Sequence, residues 1–263
     1  DIFRILSKFF ECNSNLYFVR IFAGHLDEGI DGAEVKNGID DYCINILSTA
    51  LIRNTAFTDL EIHGDLNLTA TGWRKLSDAL SDPKCCLECL TLGSSDNIGD
   101  GVLTCLGFAL ERNKTLYSLE ISNHSSITSS GWGFFAFCLK NPSSALMTLD
   151  LEACNIEPAG AAEIVSALAI NSQLKELKMN KNDALREKDW SDLSHILCDK
   201  TNIESTYYLS NHTLRTFSIE GRLREDAADY WNMDHYGCLI VDEDICNDIE
   251  GSLKMNKCSS EAE

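Results

Sequence analysis

A Leu-x-x-Ala-Leu pattern echoes seven times along this chain, at Leu6/Phe9/Phe10, Leu47/Ala50/Leu51, Leu76/Ala79/Leu80, Leu106/Ala109/Leu110, Phe135/Cys138/Leu139, Ile164/Ala167/Leu168 and Leu193/Ile196/Leu197. From Leu47 onward it recurs about every 29 residues, a period that marks stacked structural repeats. A second pattern, Leu-x-x-Leu-x-Leu, runs between the copies of the first: Phe57/Leu60/Ile62, Leu87/Leu90/Leu92, Leu116/Leu119/Ile121, Leu146/Leu149/Leu151 and Leu174/Leu177/Met179. Looser copies flank it at Leu16/Val19/Ile21 and Leu214/Phe217/Ile219. Two patterns that keep phase through consecutive units leave few folds open, because a unit this short buries its apolar side only against a neighbour.

The unit from Leu87 to Thr115 shows the expected division of labour. Alternation along a strand sends Leu90 and Leu92 into the core and Cys89, Thr91 and Gly93 outward. A polar turn over Ser94 to Gly101 precedes a helix whose Val102, Leu106, Ala109 and Leu110 share one face. Asn113-Lys114-Thr115 then leads back to the next strand. Gly72-Trp73, Gly131-Trp132, Gly160-Ala161 and Asp189-Trp190 each mark a helix start, and Trp73, Trp132 and Trp190 read as structural anchors.

With these motifs the chain resembles the leucine-rich repeat family, in its ribonuclease-inhibitor-like subclass, over residues 1 to 220. The resemblance implies an α/β curved solenoid of six to seven right-handed βα units of about 28–30 residues, with a parallel concave sheet and convex helices. It also implies Asn or Cys after each strand, where Asp65, Ser95, His124, Cys154 and Asn182 stand. Only Cys154 and Asn182 match, so the early turns are expected to be less regular. Residues 23–41 and 202–212 read as insertions, the first a mobile acidic loop with Asp27, Glu28, Asp31, Glu34, Asp40 and Asp41. Residues 221–263 lose the period and read as an irregular acidic cap or tail.

The net charge of −19 and isoelectric point near 4.6 oppose binding to nucleic acid or anionic membranes, which call for a basic footprint. Cys105, Cys138 and Cys154 fall on packing positions, so the twelve cysteines read as free thiols in a reducing, cytoplasmic compartment. No run of about 18 apolar residues predicts a membrane span. The chain opens on Ile2, Phe3, Ile5, Leu6, Phe9 and Phe10, which reads as an N-terminal cap or as the continuation of a longer protein. Four Asn-x-Ser/Thr triplets, at Asn67, Asn113, Asn123 and Asn211, would carry glycans only after secretion.

No catalytic motif or cofactor fingerprint has adequate spacing, so neither an enzyme nor a cofactor or metal is expected. Cys86-Leu87-Glu88-Cys89 spans the start of a strand, whereas a redox pair needs a helix N-terminus. Asp242 to Leu253 lacks the glycine and glutamate of a calcium loop. His195 and Cys198, one turn apart, flank structural residues.

Binding is the remaining role. The outward strand positions carry Asp59, Glu61, Glu120, Asp150, Glu152 and Glu176, with Lys178 almost alone against them. Such a stripe favours a basic protein partner; the plain alternative is a solvated polar strand face. The expected function is a noncatalytic protein-interaction scaffold. Alternatives are a regulator of a small GTPase and a sensor fragment of a larger immune-type receptor.

Overall fold

The computed structural model describes residues 16–23, 39–64, 66–93 and 98–185, with isolated positions up to the strand Thr216–Ser218. The N-terminal apolar stretch, most of both insertions, Asp65, Ser95, Trp190, His195, Cys198 and residues 221–263 lie outside them.

Strands β1 (Phe18–Ala23), β3 (Asp59–Gly64), β5 (Cys89–Gly93), β6 (Ser118–Ser122), β7 (Thr148–Asp150), β8 (Glu176–Lys178) and β9 (Thr216–Ser218) form one parallel sheet in that order. β2 (Ile39–Asp40) and β4 (Leu66–Asn67) pair separately. Among the described residues there are five helices: α1 (Asp41–Arg53), α2 (Ala70–Leu80), α3 (Asp100–Arg112), α4 (Ser129–Leu139) and α5 (Pro158–Leu168). Each helix packs on the next, as each main-sheet strand pairs with the next.

Register follows the leucine pattern. Leu60, Leu90, Leu119, Leu149 and Leu177 are successive partners across the sheet, all buried. Their neighbours along each strand are partly accessible, so one sheet face joins the helices' apolar sides in a single core and the other stays open. A slip of one residue would exchange the faces. No described helix is long and apolar enough to cross a membrane.

Polar side chains join the units to one another. After the helices, Asn113, Asn171 and Asn211 are buried. Their amide nitrogens donate to the last carbonyl of a preceding unit's helix, Leu80 at 2.7 Å, Leu139 at 2.7 Å and Leu168 at 2.6 Å. Their oxygens accept from Leu116, Leu174 and Leu214 at 2.6, 2.7 and 2.9 Å, which fixes the turn into the next strand. Helix ends leave carbonyls without partners, and these amides supply them. With their side chains so engaged, Asn113 and Asn211 have no amide free for a glycan in the folded chain.

A parallel set follows the strands. The side chains of His124, Cys154 and Asn182 are hydrogen-bonded to the carbonyls of Leu92, Ile121 and Leu151 at 2.9, 2.9 and 3.0 Å. His124 therefore fills the Asn/Cys position without loss of regularity, contrary to the sequence expectation for that turn. Burial pushes the Cys154 thiol up to about 12, so it stays a neutral donor.

The Gly-Trp pairs have a common cause. Asp41 accepts from the Thr69 amide at 2.8 Å and from its hydroxyl at 2.5 Å; two units later Asp100 holds Thr128 the same way, at 2.8 and 2.6 Å. A Cβ on Gly72 or Gly131 would stand 2.3 Å from an oxygen of these carboxylates. Glycine admits the contact, and Trp73 and Trp132 behind it are buried. Asp40 and Asp41 thus leave the mobile loop assigned to them: Asp40 caps α1 by accepting from Cys43 N at 2.9 Å, and Asp41 ties α1 to α2. Asn211 likewise leaves the second insertion, because burial and four hydrogen-bond partners fix it. Cys105 is only half-buried, on the outward side of α3.

Asn171→Ala leaves the Leu139 carbonyl and the Leu174 amide unpaired and is expected to lower unfolding free energy by about 2–4 kcal/mol. Asn67→Ala, at an exposed position, is expected to change it by less than about 0.5 kcal/mol. Urea titration followed by circular dichroism compares the two.

Candidate interaction face

Parallel register sets the open-face side chains in rows. One row runs Arg20, Glu61, Thr91, Glu120, Asp150, Lys178 and Ser218; the other runs Phe18, Asp59, Cys89, Ser118, Thr148, Glu176 and Thr216. Adjacent strands lie about 4.8 Å apart, so Glu120 and Asp150 are direct neighbours. Glu152 is the one predicted site residue that lies past its strand, in the turn after β7.

The charges are more balanced than the sequence suggested. At the β1 side the Arg20 guanidinium grips both Glu61 oxygens, its Nη2 donating at 3.0 Å, while Arg20 also lies over the Phe18 ring with its carbon 5.2 Å from the centroid. That hydrogen bond holds Glu61 below the usual carboxylate range against an opposing effect of burial. His63 Nε2 stands 3.6 Å from Glu61. At the β8 side Lys178 Nζ lies 3.5 Å from Asp150 and 3.6 Å from Glu176. Burial pulls Lys178 down, but these two carboxylates outweigh it and keep its ammonium above the ordinary value. Lys181 pairs with Glu152 at 2.6 Å. Lys178 is therefore not the lone cation: Arg20 and Lys181 flank the same carboxylates. Arg20 is brought beside Glu61 by strand pairing across a long sequence gap, and Lys181 comes from the turn beyond Lys178.

The centre stays acidic. Glu120 has no ion pair among the described residues and accepts from Ser122 Oγ at 2.9 Å. Asp150 is largely covered, and burial raises its carboxyl above the usual range. The Glu152 amide at 3.1 Å and Lys178 oppose that rise, whereas Glu120 and Glu152 add to it. Asp59 accepts from Thr58 Oγ1 at 2.5 Å. A further cation would relieve the repulsion between Glu120 and Asp150.

Cys89 and Cys86 do not form a reactive pair. Burial lifts the Cys89 thiol above its ordinary value, the opposite of what a redox cysteine requires. Among the described residues no group of three or more metal-ligating side chains comes together.

Sequence reading by third, fifth and seventh motif positions missed the second position. Tyr17, Tyr117 and Met147 stand there, exposed along the start of the strands. Their backbone is fixed, since the Tyr117 carbonyl accepts from Met147 and Thr148 N at 2.8 Å each. The missed signal was an aromatic or thioether side chain directly after the first motif leucine. Gly93 is a second omission: a Cβ there would meet His63 Nδ1 at 2.5 Å, so glycine on β5 makes room for the imidazole of β3.

No family model matches the chain. Its sequence is similar to leucine-rich-repeat-containing proteins. It is 29% identical over 240 residues to human "NACHT, LRR and PYD domains-containing protein 14", covering 83% of this chain and 21% of that protein. It is 26% identical over 212 residues to mouse "NACHT, LRR and PYD domains-containing protein 4C", covering 74% of this chain and 20% of that protein. The chain thus spans about a fifth of the length of these curated relatives. Among solved structures, "Leiomodin-1 Actin-Binding Site 2 (ABS2)" superposes with a TM-score of 0.53 at 18% identity, over 73% of this chain and 91% of that one, a likeness of fold.

Arg20→Gln is expected to raise the Glu61 carboxyl pKa toward the ordinary carboxylate value, with little change in the unfolding midpoint because Arg20 is exposed. Carboxyl NMR titration reads the shift; an unmoved Glu61 would contradict the pairing.

Proposed function

We propose that the chain is the leucine-rich-repeat part of a larger multidomain protein, and that it acts without catalysis by docking a basic protein surface on the open sheet face around Glu120 and Asp150. The observation that carries this reading is the in-register juxtaposition of those two carboxylates, whose neighbouring charges are already paired. A guanidinium or ammonium placed there meets two acceptors at once, and the paired cations on either side confine it to the centre. The −19 net charge would speed the approach of a basic partner.

The ribonuclease-inhibitor-like subclass is part of the same proposal. It draws support from the alternation of units, in which the Asp-Thr-Gly link of α1 and α2 returns in α3 and α4. So does a reducing, cytoplasmic compartment, which suits the buried free thiols of Cys43, Cys85, Cys138 and Cys154. A second reading, the sensor part of an immune-type receptor, concerns the whole protein. It is favoured by relatives whose names join NACHT, LRR and PYD domains and of which this chain covers only a portion.

Affinity capture compares the wild-type chain with Glu120→Lys/Asp150→Lys at low and moderate salt. A basic protein captured by the wild type and lost at least tenfold with the double variant, at unchanged helix content, is the expected outcome. Equal capture by both would show the stripe to be only a solvated surface.

A further inference from the structure

Helix α4 is apolar on every side past its first turn. Trp132, Phe135, Ala136, Cys138 and Leu139 fill its buried side, yet the outward side carries Gly133, Phe134 and Phe137 and no charged residue. Phe137 is 64% exposed, and Phe108 on the neighbouring α3 is 53% exposed. Phe134 bridges them in part, its ring edge-on to Phe108 with centroids 5.3 Å apart. The repeat supplies its own control. Counting from the buried Leu76, Leu106, Phe135 and Ile164, the outward slot two residues on holds Asp78, Phe108, Phe137 and Ser166. The slot one residue earlier than those leucine-type anchors holds Lys75, Cys105, Phe134 and Glu163. Flanking helices fill both slots with charged or polar groups, so packing does not require phenylalanine there. An all-apolar helix on a surface and a cluster of exposed rings mark an interface.

We infer that the outer face of α3 and α4 docks the apolar side of a helix from a different, basic protein. Neighbouring helices pack about 8–10 Å apart, so Phe108 and Phe137 offer two anchors at about the i, i+7 spacing of a helix laid across them. Charge selects the occupant. Toward α5 the patch is bordered by Glu163, whose Cγ lies 3.6 Å from the Cβ position of Gly133. Its other border is mixed, with Glu111 and Arg112 ending α3 and Lys140 capping α4. A Lys or Arg beside the apolar anchors therefore faces Glu163. A second copy is disfavoured, since it would bring another −19 chain against this one. This surface is independent of the open sheet face.

Selection of a displayed library of helical peptides on the full chain tests the assignment, with Phe108→Ser/Phe137→Ser and Glu163→Lys as comparison proteins. The expected winners carry apolar residues at i, i+3 or i+4 and i+7 with adjoining Lys or Arg. They bind at least tenfold more weakly to either variant and equally well to Glu120→Lys/Asp150→Lys, all with unchanged circular dichroism. Winners that bind the double phenylalanine variant as well as wild type, or that are acidic beside their anchors, would overturn the proposal. So would a sedimentation dimer of the wild type that the same double variant abolishes, because the occupant would then be a second copy.

Discussion

Asparagine side chains buried between units hold this stack together. Asn113, Asn171 and Asn211 each close the end of a preceding unit's helix and set the turn into the next strand. One side chain thereby fixes the spacing of two units, and its burial makes the hydrogen bonds obligatory: an unpaired amide or carbonyl in that position costs about 1–3 kcal/mol. His124, Cys154 and Asn182 repeat the arrangement after the strands. Leucine burial supplies the drive to stack, but it is nondirectional. The directional amide, imidazole and thiol contacts choose the register in which Leu60, Leu90, Leu119, Leu149 and Leu177 align.

That register makes the open face a designed surface in the electrostatic sense. Strand pairing alone puts Glu120 beside Asp150 and Arg20 beside Glu61. Three cations, Arg20, Lys178 and Lys181, pair with the outer carboxylates, and the unrelieved repulsion falls on the middle. A uniform acidic stripe would attract any basic surface; a stripe closed at its flanks favours one that places its charge centrally.

The apolar periodicities made the strands and helices legible, because repetition averages out the ambiguity of any single short run. Trp73 and Trp132 were legible as anchors for the same reason. The polar links were harder. Asp40 and Asp41 sit among glycines and carboxylates whose composition suggests a loop, and only the distant Thr69 reveals their role. His124 departs from the usual residue type yet offers a ring nitrogen at the required place. The acidic residues of the face were read correctly by alternation, but their neutralisation depends on side-chain reach across strands, as with Lys181 and Glu152, which a one-dimensional pattern does not contain. Phe108 and Phe137 were hidden because each lies beside true core positions in a leucine-like pattern.

Register and exposure can be tested together at the centre of the face. With Glu120→His/Asp150→His, two imidazoles on adjacent parallel strands would share a nickel ion, and binding to the folded state alone raises the unfolding midpoint. The account predicts a nickel-dependent rise for the double variant and none for wild type or either single variant. No rise in the double variant, with its fold intact by circular dichroism, would contradict the pairing of β6 with β7 on which both the fold and the proposed site rest.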